Sequence, residues 1–453
     1  MTGELFDLGP EPSDRKSDKP KVQGGVPRLR KPQRDQVEMH FAALDDLLES
    51  DHPARAVWAA VEELDLSPWL REVQAVEGRP GRNATDPRVL LAVWVYATLE
   101  AVGSARRLAK LCDPKGGQLG YRWLCGGVTL NYHTLSDFRA ENAEAWDGLL
   151  TQLVATLVHE GLVTMTRVAQ DGMRVKANAG KSSFRRYVSL RNCLAEAKAQ
   201  VKILRRLIDE DPNELSQREK AAQERAARSR TQRIQRAIKN CKALQKNREE
   251  RAEVDGQPAK EARASTTDPD ARNMKFPDGG YAPGHNVQYC TDVESGIIVG
   301  VDITNSGNDS RQCTPMMDQL QQRYNRFPQE VLIDGGFASL ETIENLGTRG
   351  CTVYAPVKDE KKQRALGKDP FAKKRGDTSV VAKWRERMGT EPAKLIYRER
   401  SKTAEWVNAQ ARNRGLYRMP VRGSSKCRTI SVLYAIAHNF MQALRLRSMN
   451  SPA

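Results

Sequence analysis

TRVAQDG, residues 166–172, alternates apolar and polar side chains and then meets a glycine. That period predicts a buried strand delivering Asp171 at its end. A second run, EVLIDGG (residues 330–336), is short and apolar and also finishes on an acid, Asp334, followed by two glycines. The two aspartates thus hold like positions on two predicted strands. Polar residues at the carboxyl ends of sheet strands stand at the rim, where ligands bind. On adjacent strands, roughly 4.8 Å apart, the two carboxylates can share one cation. Without a cation each raises the other's pKa, and a divalent ion reverses that cost. Mg²⁺, which takes hard oxygen ligands, suits such a pair.

Outward from these strands the pattern stays α/β. NVQYCTDVE (286–294) and GIIVGVDIT (296–304) read as a hairpin turning at Glu294-Ser295-Gly296. A helix is expected over 314–324, another over 339–345, and a strand over 351–357. Residues 358–392 are lysine-rich and broken by Gly367, Pro370 and Gly376, so a mobile basic loop is expected, with a short helix around Trp384. A helix over 401–414 carries Glu405, flanked by Arg400 and Arg412, which suit backbone phosphates. VRGSSK (421–426) is a basic loop holding Arg422 and Lys426, and an apolar-striped helix follows over 430–446. Strands and helices in this order give a mixed sheet with helices alongside, a core over 161–184 and 265–446.

The core is interrupted. Residues 185–255 contain no glycine and one proline, Pro212. Two apolar stripes, on Val201, Leu204, Leu207, Ile208 and on Ile234, Ala237, Ile238, Leu244, predict a helical hairpin turning at Asp211-Pro212-Asn213. Its second arm, 217–251, has 12 Lys or Arg against 4 Asp or Glu. This one-sided excess offers Arg228, Arg233 and Arg236 to phosphates, although a long charged helix is often only a solvated face.

Before the core, residues 1–30 read as a disordered basic tail and 31–160 as an all-helical domain. Within 104–148 a short helix, a turn at Gly126-Gly127 and a longer helix suggest a helix-turn-helix-like unit presenting His133, Ser136 and Arg139 to DNA. An ordinary packed helical bundle is the alternative. The net charge, +16, favours a polyanion without saying which. The first residues lack a basic region followed by an apolar one, and VLLAVWVYATL (89–99) is short of the roughly 20 residues of a membrane span, so a cytoplasmic protein is expected. The eight cysteines form no CxxC pair, which argues against a zinc site or a disulfide framework.

Several strings occur together in order: GRPGRNATDPRVLLAVWVYA, GSARRLAKLC, YHTLSDFR, VAQDGMRVKANAG, STTDPDARNMKFPDGGYAPGHNVQYCTD, ITNSGNDSRQCTPMM, VLIDGGF and a late AHN. In these the chain resembles the DDE transposases of bacterial insertion sequences. The resemblance implies a ribonuclease-H-like core and cleavage and transfer of DNA strands at element ends. It implies Asp171, Asp334 and Glu405 as catalytic acids holding Mg²⁺ or Mn²⁺, two ions in all. Double-stranded DNA at the element termini, target DNA and a second copy of the chain or more are the implied partners, in the nucleoid. The family's signature runs tyrosine, two residues, arginine, three residues, glutamate, six residues, lysine. Here Tyr397 and Arg400 keep their spacing, four residues separate Arg400 from Glu405, and Arg412 replaces the lysine. Asn308 and Asp309 match a characteristic pair, with Asp309 expected near the sheet rim. A stand-alone nuclease of the same fold and a decayed DNA-binding relic are the alternatives.

Overall fold

Proline and short polar side chains start many of the helices. In the computed structural model, Asp86 accepts a hydrogen bond from the Arg88 amide ahead of Pro87, and Ser104, Asn131, Ser339, Thr378 and Thr390 cap further helices in the same way. The structure describes residues 42–73, 75, 83–209 and 214–450. The expected tail over 1–30, the first half of the loop expected over 78–87, and the Asp211-Pro212-Asn213 turn lie outside the described residues.

The described N-terminal helices are α1 (Pro53–Glu62), α2 (Ser67–Leu70), α3 (Pro87–Leu99), α4 (Ala105–Leu111), α5 (Leu119–Cys125), α6 (Tyr132–Ala140) and α7 (Ala143–His159). The apolar run at 89–99 forms α3, buried on nearly every side at the centre of this group. No helix among the described residues is long and apolar enough to cross a membrane.

The sheet is mixed. Strand β1 (Arg167–Lys176) leads through the short β2 (Phe184–Arg186) into α8 (Tyr187–Asp209) and α9 (Glu214–Asp255). The chain returns by β3 (Arg263–Ser265), which pairs with β2 and closes the base of the inserted helices. Then come β4 (Arg272–Lys275), β5 (Tyr281–Asp292), β6 (Ile298–Thr304), α10 (Cys313–Tyr324), β7 (Glu330–Leu332), α11 (Leu340–Thr348) and β8 (Thr352–Tyr354). The order is β4-β5-β1-β7-β8, with β6 also on β5. Strand β5 runs antiparallel to β1, β4 and β6, whereas β1, β7 and β8 are parallel. Helices α12 (Glu360–Ala365), α13 (Ser379–Met388), α14 (Glu391–Arg400), α15 (Trp406–Asn413) and α16 (Ser424–Asn450) complete the chain.

Three local expectations change. Strand β1 does not turn at Gly172 but runs on to Lys176, so Asp171 is mid-strand. A Cβ at Gly172 would lie 2.3 Å from Asp309 Oδ1 and 2.6 Å from Gln288 Nε2, so the glycine admits those side chains rather than ending the strand. The segment 358–392 holds two helices, and α13 is anchored by buried Val381, Trp384 and Met388 and by the Arg385–Asp377 ion pair. The helix carrying Glu405 begins ten residues earlier than expected, at Glu391, because Thr390 caps it.

Helix α16 joins the parts. It packs on α3, α6 and α7 and on β5 and β6, so the N-terminal helices and the sheet share one hydrophobic core. Arg428 of α16 and Arg323 of α10 both pair with Asp147 of α7. Among the described residues no strand pairs with the outer side of β6, where these helices lie. Asn439 of α16 accepts from the Ile298 amide and donates to its carbonyl, both at 2.8 Å. Gln319 of α10 does the same to Val301, at 3.1 and 3.2 Å. Two carboxamides thus stand in for a neighbouring strand at an edge that would otherwise bury unpaired backbone.

Next to Asn439, buried His438 donates from Nε2 to the Gly296 carbonyl at 3.0 Å. Burial, with the Arg414 charge adding to it, holds its pKa down to about 4. The unfolded chain therefore binds the extra proton first, and stability is lost as pH falls from about 6.5 toward 4, by about 3 kcal/mol in all. His438→Gln, which keeps a donor without a titrating group, is expected to flatten that part of a stability-versus-pH curve. An unchanged acid limb would place the loss elsewhere.

Candidate metal and DNA site

The site forms where the sheet narrows. Strand β7 pairs with β1 only as far as Ala169↔Leu332, and the chain then bends away through Asp334-Gly335-Gly336. Asp334 Oδ1 accepts from the amides of Gly336 at 2.8 Å and Phe337 at 3.3 Å, which fixes its carboxylate in the bend. A Cβ at Gly336 would sit 3.0 Å from that oxygen, so the second glycine makes room for the turn. Asp171 stands two residues beyond the last β1–β7 pair. Its Oδ1 accepts from the Gly172 amide at 2.9 Å and its Oδ2 from Asn408 Nδ2 at 3.0 Å.

The third acid arrives on the helical path α14–α15. Residues Ser401–Glu405 form one π-helical turn between the two α-helices. A π turn accommodates one residue more than an α turn. The residue added to the signature between Arg400 and Glu405 is thereby absorbed, and both side chains stay on one face. Arg400 Nη2 donates to Glu405 Oε1 at 2.5 Å, and Nη1 lies 3.6 Å from Asp171 Oδ2. The guanidinium is largely buried. Burial opposes its charge, but Asp171, Tyr397, Glu405 and Asp334 more than offset that. Asp171 is pushed up to about 6 by burial, with Arg400 pulling down and Asp334 pushing further up. Arg400 is therefore the counter-cation between Asp171 and Glu405, and the Asp334 charge also favours it. Arg400→Gln is expected to tighten Mn²⁺ binding in the absence of DNA, on the order of tenfold, as read by titration calorimetry. Unchanged or weaker binding would show that the arginine does not compete with a cation there.

Tyr397 lies beside Arg400, whose Cζ is 5.9 Å from the ring centre. Arg412 is exposed two turns past Glu405. Asn408 was not anticipated from the sequence; its only signal is its place three residues after Glu405, on the same helix face. Asp309 is not beside the acids. It lies on the opposite face of the sheet, since neighbouring strand residues point to opposite sides, and it accepts from Asn286 at 2.6 Å and Gln288 at 2.8 Å. Asn308 only caps its own loop, accepting from the Ser310 amide.

Among the residues expected at DNA, His133 is exposed and Ser136 half-buried on α6, but Arg139 turns inward. It is 5% exposed, donates to the Gly103 carbonyl at 2.7 Å and covers the Trp94 ring. The helix period places it on the face of Leu135, toward the core. On α9, Arg228 pairs with Glu224 and Arg236 with Asp270. Arg233 makes no ion pair among the described residues; burial and the nearby Arg422 and Arg230 charges lower its pKa. The inserted arm thus comes near exposed Arg422; the expected basic loop ends at Gly423, and exposed Lys426 stands in the first turn of α16 instead.

That approach is held by the TDPD string. Asp268 accepts from the Gly423 amide and Asp270 from the Ser424 amide, at the start of α16, and Asp270 also takes Arg236. Asp268, His285 and Cys427 are the one group among the described residues whose three potential donor atoms all lie within 4.8 Å of one another. Both Asp268 oxygens already accept hydrogen bonds, from Gly423 and Asp270 amides and from His285. Burial pushes the Cys427 thiol up. The group reads as a clasp between α16, β5 and the loop before β4.

A mixed sheet with helices alongside, carrying aspartates on two adjacent strands, defines a mixed α/β protein. The transposase DDE domain model matches residues 248–440, and the transposase domain (DUF772) model matches residues 42–141. The chain belongs to the DDE-type transposases of insertion-sequence families, and its core is ribonuclease-H-like. The DDE match includes Asp334 and Glu405 and begins after Asp171. No curated protein and no solved structure matches the chain.

Proposed function

We propose that this transposase cuts DNA at the ends of its element and joins the freed 3′ ends to target DNA, using Asp171, Asp334 and Glu405 to hold two Mg²⁺ or Mn²⁺ ions. The observation that carries the reading is the pairing of Asp171 and Glu405 with one guanidinium, on which the Asp334 charge also acts, a place where negative charge already seeks a cation. The donor set fits: all are carboxylate oxygens, and Asp334 Oδ2 and Glu405 Oε2 accept no hydrogen bond among the described residues. When bound, such a pair of cations polarises the phosphoryl group and offsets charge on the attacking and departing oxygens.

The protein's own groups set the geometry. Asn408 and the Gly172 amide orient Asp171, and the Gly336 and Phe337 amides orient Asp334, so neither carboxylate has to be ordered as DNA binds. Arg400, displaced from the acids, is positioned beside the phosphates, with Tyr397 against it. Arg412, Arg422, Lys426 and Arg233 extend the positive surface, and the α6 face of exposed His133 and half-buried Ser136 is offered to the duplex. Double-stranded DNA at the element termini, target DNA and a second copy of the chain are the partners, in the cytoplasm at the nucleoid. Purified protein with end DNA and Mg²⁺ is expected to give 3′-OH nicks at the element boundary and then joined product. Hydrolysis without joining would favour a nuclease, and no cleavage with intact binding would favour a relic.

A further inference from the structure

A cavity of about 620 Å³ opens between α3, the end of α15, the segment 414–420 and α16, away from the acids. Among the described residues its wall includes Arg139, Arg414 and Arg418 and not one aspartate or glutamate. None of the three arginines makes an ion pair among the described residues. Arg139 Nε and Arg414 Nη1 are buried without a hydrogen-bond partner. Burial holds the Arg139 pKa down to about 10. A buried guanidinium without an anion is costly, and proteins ordinarily pair it. At the mouth, the Tyr417 ring is 64% exposed, on backbone fixed by the Lys176 amide to the Tyr417 carbonyl.

We propose that this cavity binds the phosphate of a nucleotide, with Arg139 and Arg414 on the phosphate, Arg418 at the rim and the base against Tyr417. The planar donor fork of arginine suits phosphate oxygens, and an aromatic face takes any base without sequence preference. The placement suits a DNA strand that also reaches the acids. Helix α15 starts at Glu405's neighbour Trp406 and ends at Asn413 in the cavity wall. Its eight residues span about 12 Å, roughly three to four phosphates along a duplex strand. The same chemistry serves a free nucleotide.

The test is titration calorimetry of the full chain, without divalent metal, with inorganic phosphate, with thymidine 5′-monophosphate and with a short single-stranded oligonucleotide. The mononucleotide is expected to bind more tightly than phosphate. Arg414→Gln is expected to weaken both at least tenfold, and Tyr417→Ala to weaken the nucleotide and leave phosphate unchanged. An oligonucleotide that binds tighter still, and loses that gain in Arg414→Gln, assigns the site to a DNA strand; equal affinity with the mononucleotide assigns it to free nucleotide. Binding of none of the three, or binding that Arg414→Gln leaves intact while the melting temperature is unchanged, overturns the proposal. Arg139→Lys, which keeps the charge, guards against a folding defect: it is expected to keep phosphate binding and lose part of the affinity. These outcomes are independent of cleavage, so failure here leaves the assignment of the acids standing.

Discussion

Asp171→Asn is expected to lower DNA cleavage on the order of 10³-fold while leaving DNA affinity within a factor of about 3. The asparagine keeps the shape and one acceptor, for the Gly172 amide, but loses the second acceptor that Asn408 donates to and the charge that would hold a cation. Stability is expected to move the other way. The buried carboxyl of Asp171 prefers its proton in the folded state, with a pKa of about 6 against 3.8. Ionising it therefore costs nothing below about pH 4 and the full penalty above about pH 6, up to about 3 kcal/mol. At neutral pH the variant should melt higher than the parent. Activity lost together with stability or DNA binding would mean that Asp171 holds the fold rather than the chemistry.

Asn439→Leu is expected to destabilise the protein by about 2–5 kcal/mol, seen as a lower denaturant midpoint. Leucine fills similar space but leaves the Ile298 amide and carbonyl buried and unpaired at the β6 edge. Gln319→Leu should do the same to the Val301 amide with a smaller effect, because the Val301 carbonyl also accepts from Arg428 Nη2. A variant at Asn439 that kept its stability and lost cleavage would give the residue a role at the acids, which the geometry does not provide.

The late AHN string thus illustrates what a sequence can and cannot tell. Its resemblance value was visible, but its task as a substitute strand depends on a helix meeting a sheet edge well over a hundred residues away. The strands of Asp171 and Asp334 were legible because alternation and apolar runs are local. Gly172 misled because glycine ends strands and also admits close neighbours, and only the partners Asp309 and Gln288 decide between these. Arg139 does not lie on the outer face of α6, as its charge argues, because the face it shares with Leu135 and the ring of Trp94 draws it inward, to the cavity wall. The unusual spacing at Glu405 became intelligible only with the π turn, since nothing in the residues 401–405 themselves announces one. Asn408 needed the same helix geometry before its reach to Asp171 could be known.

The most direct measurement is anomalous diffraction from crystals of the protein with end DNA and Mn²⁺. Peaks should appear with oxygens of Asp171, Asp334 and Glu405 at roughly 2.1 Å, and Arg400 should have left Glu405 for the DNA backbone. Manganese found only elsewhere, for instance at the Asp268–His285–Cys427 clasp, with the acids still gathered on Arg400, would contradict the account.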